Sequence, residues 1–224
     1  MNPASLFDPA SAAIVVVGTV LATFLRCGAG NCAQAVRALG QLGSSGFDAD
    51  GTRAEMASQV REIERGGVLR AEPRRFGDAA FDEAAGALIG SRSLKALLAT
   101  HEAHRALRTD AARRAASTLA QASELAPVFG LAGTLLSLSQ LPVEGLARGA
   151  FSSAISMAVL TTLYGLLLAN LVLAPLARIV ERRAAIEEAE RQRIVDWLAG
   201  HLERSLSPPA QRQRPRAVPL EDVA

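Results

Sequence analysis

Two histidines in HEAHR, His101 and His104, are the first residues whose spacing suggests chemistry. A helical zinc-hydrolase site needs histidines at i and i+4 around a glutamate base, and its metal needs further protein ligands. Here the spacing is i, i+3, and no other histidine or carboxylate cluster completes the set. The pair reads as solvated histidines on a polar helix, with no metal site. Cys27 and Cys32 are the only cysteines. Two sulfurs do not fill a tetrahedral zinc site, and a reducing cytosol disfavours a disulfide, so they read as free thiols. No nucleophile elbow, phosphate loop or dinucleotide fingerprint is present. The chain therefore reads as neither an enzyme nor a cofactor protein. What remains is a set of hydroxyls and one amide. AVLTTLYGLLLAN (158–170) carries Thr161, Thr162, Tyr164 and Asn170 in an apolar run without a charge.

That run belongs to one of three charge-free windows, 9–25, 125–143 and 149–177. A membrane helix needs about 20 apolar residues. The chain is 50% hydrophobic and carries a net charge of +2, too balanced to argue for nucleic acid. The windows predict an all-α polytopic membrane protein with transmembrane helices over 9–27, 125–142 and 151–174. The first window is not a cleaved signal peptide by composition, because MNPASLFDP has an aspartate and no basic residue. Arginines 26, 37, 113, 114, 178, 182 and 183 flank one side of the spans, and only Arg148 the other. Basic residues collect on the cytoplasmic side. The expectation is a short periplasmic N-terminus (1–8), a periplasmic loop (143–150), and cytoplasmic residues 28–124 and 175–224.

The cytoplasmic parts read as helical. GSSGFDADG (43–51) is a loop, with Asp50 or Thr52 available to cap the helix TRAEMASQVREIER. A second helix, AAFDEAAGALIG, follows a Gly- and Pro-containing break. A long helix then runs from Ser91 to Leu125 without Gly or Pro, directly into the second span. The third span continues into a cytoplasmic helix over 175–206. Residues 207–224, rich in Pro and Arg, read as a disordered tail.

The spans themselves carry small-residue faces. Ala154, Ala158, Thr162, Gly165 and Ala169 share one face of the third, and Gly130, Gly133, Thr134 and Ser137 one face of the second. Such faces let helix backbones approach closely, and plain packing is a sufficient reason for them. Pro127 and Pro175, at the cytoplasmic ends of these spans, free carbonyls and allow a hinge. Hydroxyl-lined helices with hinges suit an ion path, through Thr134 and Thr162. No carboxylate lies within a span, so a titrating group would have to come from a partner.

APVFGLAGTLLSL (126–138) followed by AISMAVLTTLYGLLLANLVLAPLARIVERR (154–183) closely resembles the channel core of the MotA/TolQ/ExbB family. The wording LTTLYG…AN…PLA is most similar to the flagellar stator branch. DPASAAIVVVGTVLATFLR resembles the second span of that branch, with Val17 in place of the first glycine of its Gly-Gly pair. IERGGVLRAE (63–72) is similar to its rotor-contact segment: Arg65 and Glu72 match, Glu64 stands at a basic position, and Pro73 replaces a second acid. The resemblance implies a homopentamer around two copies of a single-span MotB- or ExbD-like partner that supplies an aspartate. It implies that Thr134 and Thr162 face that aspartate, that Pro127 and Pro175 are the family's paired prolines, and that Arg65 and Glu72 contact a flagellar rotor. Thr161 and Tyr164 would pack or cap neighbouring helices, and Asn170 would bond between helices. Three functions stay open at this point: a proton- or sodium-driven stator subunit of the bacterial inner membrane, an ExbB/TolQ-type energiser of envelope transport, and a non-conducting helical scaffold among lipids.

Overall fold

The computed structural model describes residues 8–43, 46–66, 78–91, 93–139 and 148–206. These form α1 (Pro9–Leu42), α2 (Ala49–Gly66), α3 (Ala79–Ser91), α4 (Leu94–Ser139), α5 (Arg148–Leu167), a π-helical turn (Leu168–Leu173) and α6 (Ala174–Leu206). No strand occurs among the described residues. Three helices are long and apolar enough to cross a membrane: α1, α4 and the continuous run Phe151–His201. The all-α class with three spans is the one found. The tail 207–224 and residues 143–147 of the expected loop lie outside the described residues.

The helix ends have local causes. Asp8 caps α1, its carboxylate accepting from the Ala10 and Ser11 amides at 3.3 and 3.1 Å, with Pro9 at the first helical position. α1 is broken at Gly28, whose φ of 81° and ψ of 160° only glycine adopts without strain. The Asn31 side-chain amide donates to the Cys27 carbonyl just before the break, at 2.9 Å. α2 starts earlier than the sequence suggests. Its cap is Asp48, not Asp50 or Thr52, because the Asp48 carboxylate accepts from the Gly51 amide at 2.9 Å, three residues into the turn. The long helix begins at Leu94 instead of Ser91, with the Ser93 carbonyl accepting from the Ala96 and Leu97 amides. It then runs unbroken through Pro127.

Tertiary contacts divide the chain into two units, Met1–Phe47 with Arg105–Ala189, and Asp48–His104 with Glu190–Ala224. In the first, the part of α1 after Gly28 packs Ala35, Ala38, Leu39 and Leu42 with Ala115, Ala116 and Leu119 of α4 and Ala177 and Val180 of α6. Arg108 grips Glu188 through two nitrogens at 2.9 Å each. Arg183 donates to the Leu42 carbonyl at 2.8 Å, serving the last turn of α1.

The second unit buries Met56, Phe81, Leu88, Leu97, Ile194, Val195 and Leu198. Arg191 pairs with Asp78 at 3.3 Å, and Arg53 lies 5.7 Å from the centre of the Trp197 ring. His101 is not solvated, contrary to the sequence reading. It is buried and stacks on Phe81 with ring centres 6.1 Å apart. His104 meets Glu83 at 2.8 Å. The apolar ring of Phe81 supplies the contact that a polar-helix reading of HEAHR misses.

Candidate functional site

α4 and α5 meet with their backbones in contact. A Cβ added at Gly165 would lie 2.7 Å from the Ala126 carbonyl oxygen and 3.0 Å from the Gly130 Cα. One added at Gly130 would lie 3.0 Å from the Thr161 carbonyl oxygen. Gly133 leaves room for the Thr161 side chain, which would be 2.8 Å from a Cβ there. Around this crossing Ser137, Ala158 and Ala169 are buried, and the Ser137 hydroxyl donates to the Gly133 carbonyl at 2.8 Å. With no hydrophobic drive between helices in lipid, packing of this kind is what holds them together.

The hydroxyls at the crossing differ in setting. Thr161 is fully buried and donates to the Ala158 carbonyl at 2.9 Å. Thr162 is half-buried and donates to the same carbonyl at 3.3 Å. Thr134, also half-buried, donates to the Leu131 carbonyl at 2.5 Å. Each hydroxyl spends its proton on its own helix and keeps oxygen lone pairs that can accept. A half-buried acceptor on an apolar helix can hold a water or the proton of a carboxylic acid brought to it.

The other candidates fall as follows. The Tyr164 hydroxyl accepts from the Asp8 backbone amide at 3.1 Å, so it serves the start of α1. Asn170 does not bond between helices as expected. It is exposed, and its amide turns back to the Leu166 carbonyl at 3.0 Å, one turn earlier on its own helix. Pro127 lies inside α4, and Pro175 follows the π-helical turn, where the Ala174 amide bonds the Ala169 carbonyl. A proline has no N–H for the carbonyl four residues back and crowds it, which a wider turn relieves. Arg65 lies in the last turn of α2, and Glu72 is outside the described residues.

Some polar residues escaped the sequence reading. Ser11, Thr19 and Thr23 are buried along one side of α1 with Val15, and the Thr19 hydroxyl has no partner. A Cβ at Gly18 would lie 2.3 Å from the Phe129 ring of α4. The four-residue steps 11, 15, 19 and 23 were the available signal. No group of three or more metal-ligating side chains occurs among the described residues.

Residues 74–193, more than half of the chain, match the sequence profile of the MotA/TolQ/ExbB proton channel family. The chain belongs to that family. Two curated relatives are motility proteins A. The Cereibacter sphaeroides protein is 25% identical over 167 residues, 70% of this chain and 62% of that relative. The Borreliella burgdorferi protein is 35% identical over 74 residues, 33% of this chain and 28% of the relative. The chain thus spans less than two thirds of the length of either. Among solved structures, that of C. jejuni MotAB superposes with a TM-score of 0.80 at 19% identity, covering 91% of this chain and 81% of the other. The flagellar MotAB stator complex of Bacillus subtilis gives 0.77 at 18%, covering 89% and 80%. This family member shares their fold.

Proposed function

We propose that the chain is a MotA-like stator subunit, which conducts protons or sodium across the bacterial inner membrane and converts that flow into mechanical work. The observation that carries this reading is the likeness to a motility protein A over 70% of the chain, beside a family profile over 74–193 that takes in both small-residue faces. On this reading Thr134 and Thr162 accept from an aspartate on a single-span MotB-like partner, around which copies of the chain assemble as a pentamer. Pro127 and Pro175 act as hinges at the cytoplasmic ends of the second and third spans. The N-terminus is periplasmic, residues 28–124 and 175–224 are cytoplasmic, and Arg65 and Glu72 offer charges to a rotor. No catalysis is assigned to the chain.

The test rests on the hydroxyl. Valine is near threonine in shape and lacks the oxygen, so it separates chemistry from volume. A polar contact of this kind within a membrane contributes about 1–2 kcal/mol, roughly ten-fold in a rate it limits. Thr162→Val is expected to lower proton flux about ten-fold in cells that also make the partner, with Thr134→Val milder and oligomer size unchanged. Thr161→Val should be the mildest of the three, because that side chain is buried against Gly133. Equal flux in all three variants would reduce the hydroxyls to packing. Full motility in a complete deletion strain would move the chain from the flagellar to the envelope-energising branch.

A further inference from the structure

The break in α1 folds the segment after it back against the segment before it. Along an unbroken α-helix, Cys32 would stand about 13.5 Å beyond Thr23. In the structure the Cys32 sulfur lies 3.9 Å from the Thr23 carbonyl oxygen, because the backbone turns sharply at Gly28. That carbonyl is the one four residues before Cys27, the usual acceptor of the Cys27 amide within the helix. The Cys32 thiol therefore sits against the turn of helix that ends at Cys27. Asn31 reinforces the turn from the same side through its 2.9 Å bond to the Cys27 carbonyl. Both thiols are free and half-buried.

We propose that Cys27 and Cys32 form a redox-active dithiol, which closes to a disulfide across the Gly28 break on meeting a low-molecular-weight disulfide. Burial, and then the neighbouring Cys27 sulfur, pushes the Cys32 thiol up. The thiolate is the nucleophile, so the raised Cys32 thiol is assigned the second step and Cys27 the first. The Cys27 thiolate forms a mixed disulfide and expels one small thiolate, which takes up a proton. Cys32 then loses its proton to water as its sulfur attacks Cys27, expelling the second small thiolate. The balance is two protein thiols and one small disulfide giving one protein disulfide and two small thiols. In an unbroken helix, residues five apart have Cα atoms roughly 8.6 Å apart by helix geometry, too far to bridge. The glycine turn is what permits closure. Closure fixes the angle between the span and the segment that carries Ala35, Ala38, Leu39 and Leu42 into the core with α4 and α6.

The experiment treats membranes containing the full chain with oxidised glutathione, blocks remaining thiols with a maleimide, and weighs the intact protein. The expected result is loss of both maleimide sites with no glutathione retained, reversed by dithiothreitol. Cys32→Ser should instead hold one glutathione on Cys27, and Cys27→Ser should react much more slowly. These serine changes are nearly isosteric, and the wild-type measurement needs neither. Wild-type protein that keeps a stable adduct, still takes two maleimides, or forms disulfide-linked dimers would overturn the proposal. The readout is sulfur chemistry alone, so its failure is distinct from a failure of ion conduction.

Discussion

The crossing of α4 and α5 and the interior of the second unit are joined by opposite means. At the crossing, Gly130 and Gly165 bring backbone to backbone, and nothing larger than hydrogen fits between. In the second unit, large side chains such as Leu97 and Phe81 fill the interior, while Arg191 and Asp78 pair at its margin. Water explains the contrast. Where water surrounds the unfolded chain, burying a large apolar side chain is strongly favourable. Where lipid surrounds the helix, apolar bulk gains nothing by leaving it, and close fit decides. The same methyl group should therefore act with opposite sign in the two places.

The largest effect expected is Leu97→Ala, whose side chain is 1% exposed. It should lose about 3 kcal/mol, read as a lower thermal unfolding midpoint in detergent. A loss below about 1 kcal/mol would mean that the second unit is not held by its interior. Next comes Gly165→Ala, where the added methyl meets a carbonyl oxygen and a Cα that cannot swing away. About 2 kcal/mol should be lost as the helices are pushed apart. Gly86→Ala in α3 is the counterpart, since a Cβ there finds nothing within 4 Å. It should stabilise by roughly 0.5–1 kcal/mol through helix propensity alone. Were Gly165→Ala and Gly86→Ala to shift the midpoint in the same direction, the contrast between the two regions would fail.

The three spans could be read in the sequence because charge is excluded from long windows, and a charge in lipid is costly. The faces of small residues were visible too, through helical period. Which of two adjacent threonines turns inward was not. Thr161 and Thr162 sit about 100° apart, and their exposure depends on how α5 is rotated at its crossing with α4. Asn170 misled because an amide within a span suggests a bond to a neighbour, whereas the Leu166 carbonyl of its own helix lies nearer. His101 misled in the reverse direction, since its neighbours in sequence are polar and Phe81 is twenty residues away. The break at Gly28 was hidden among several glycines, because the sign of φ follows from the packing of the segments on either side.

The bond from the Asp8 amide to the Tyr164 hydroxyl sets a vertical offset between helices. α1 begins beside the middle of the third span and runs towards the core that Ala35 shares with Ala177 and Val180. The charge-free part of α1, 9–25, measures about 25 Å, and that of α5 with its continuation, 149–177, about 43 Å. One lipid slab, about 30 Å thick in its hydrocarbon, cannot match both lengths. A slab matched to α1 leaves the first dozen residues of α5 standing past one of its faces, with Phe151, Ile155 and Val159 still exposed on this chain. The hydrophobic thickness this protein presents to its surroundings is therefore not one number, but a short step at α1 and a tall one along α5 and its continuation.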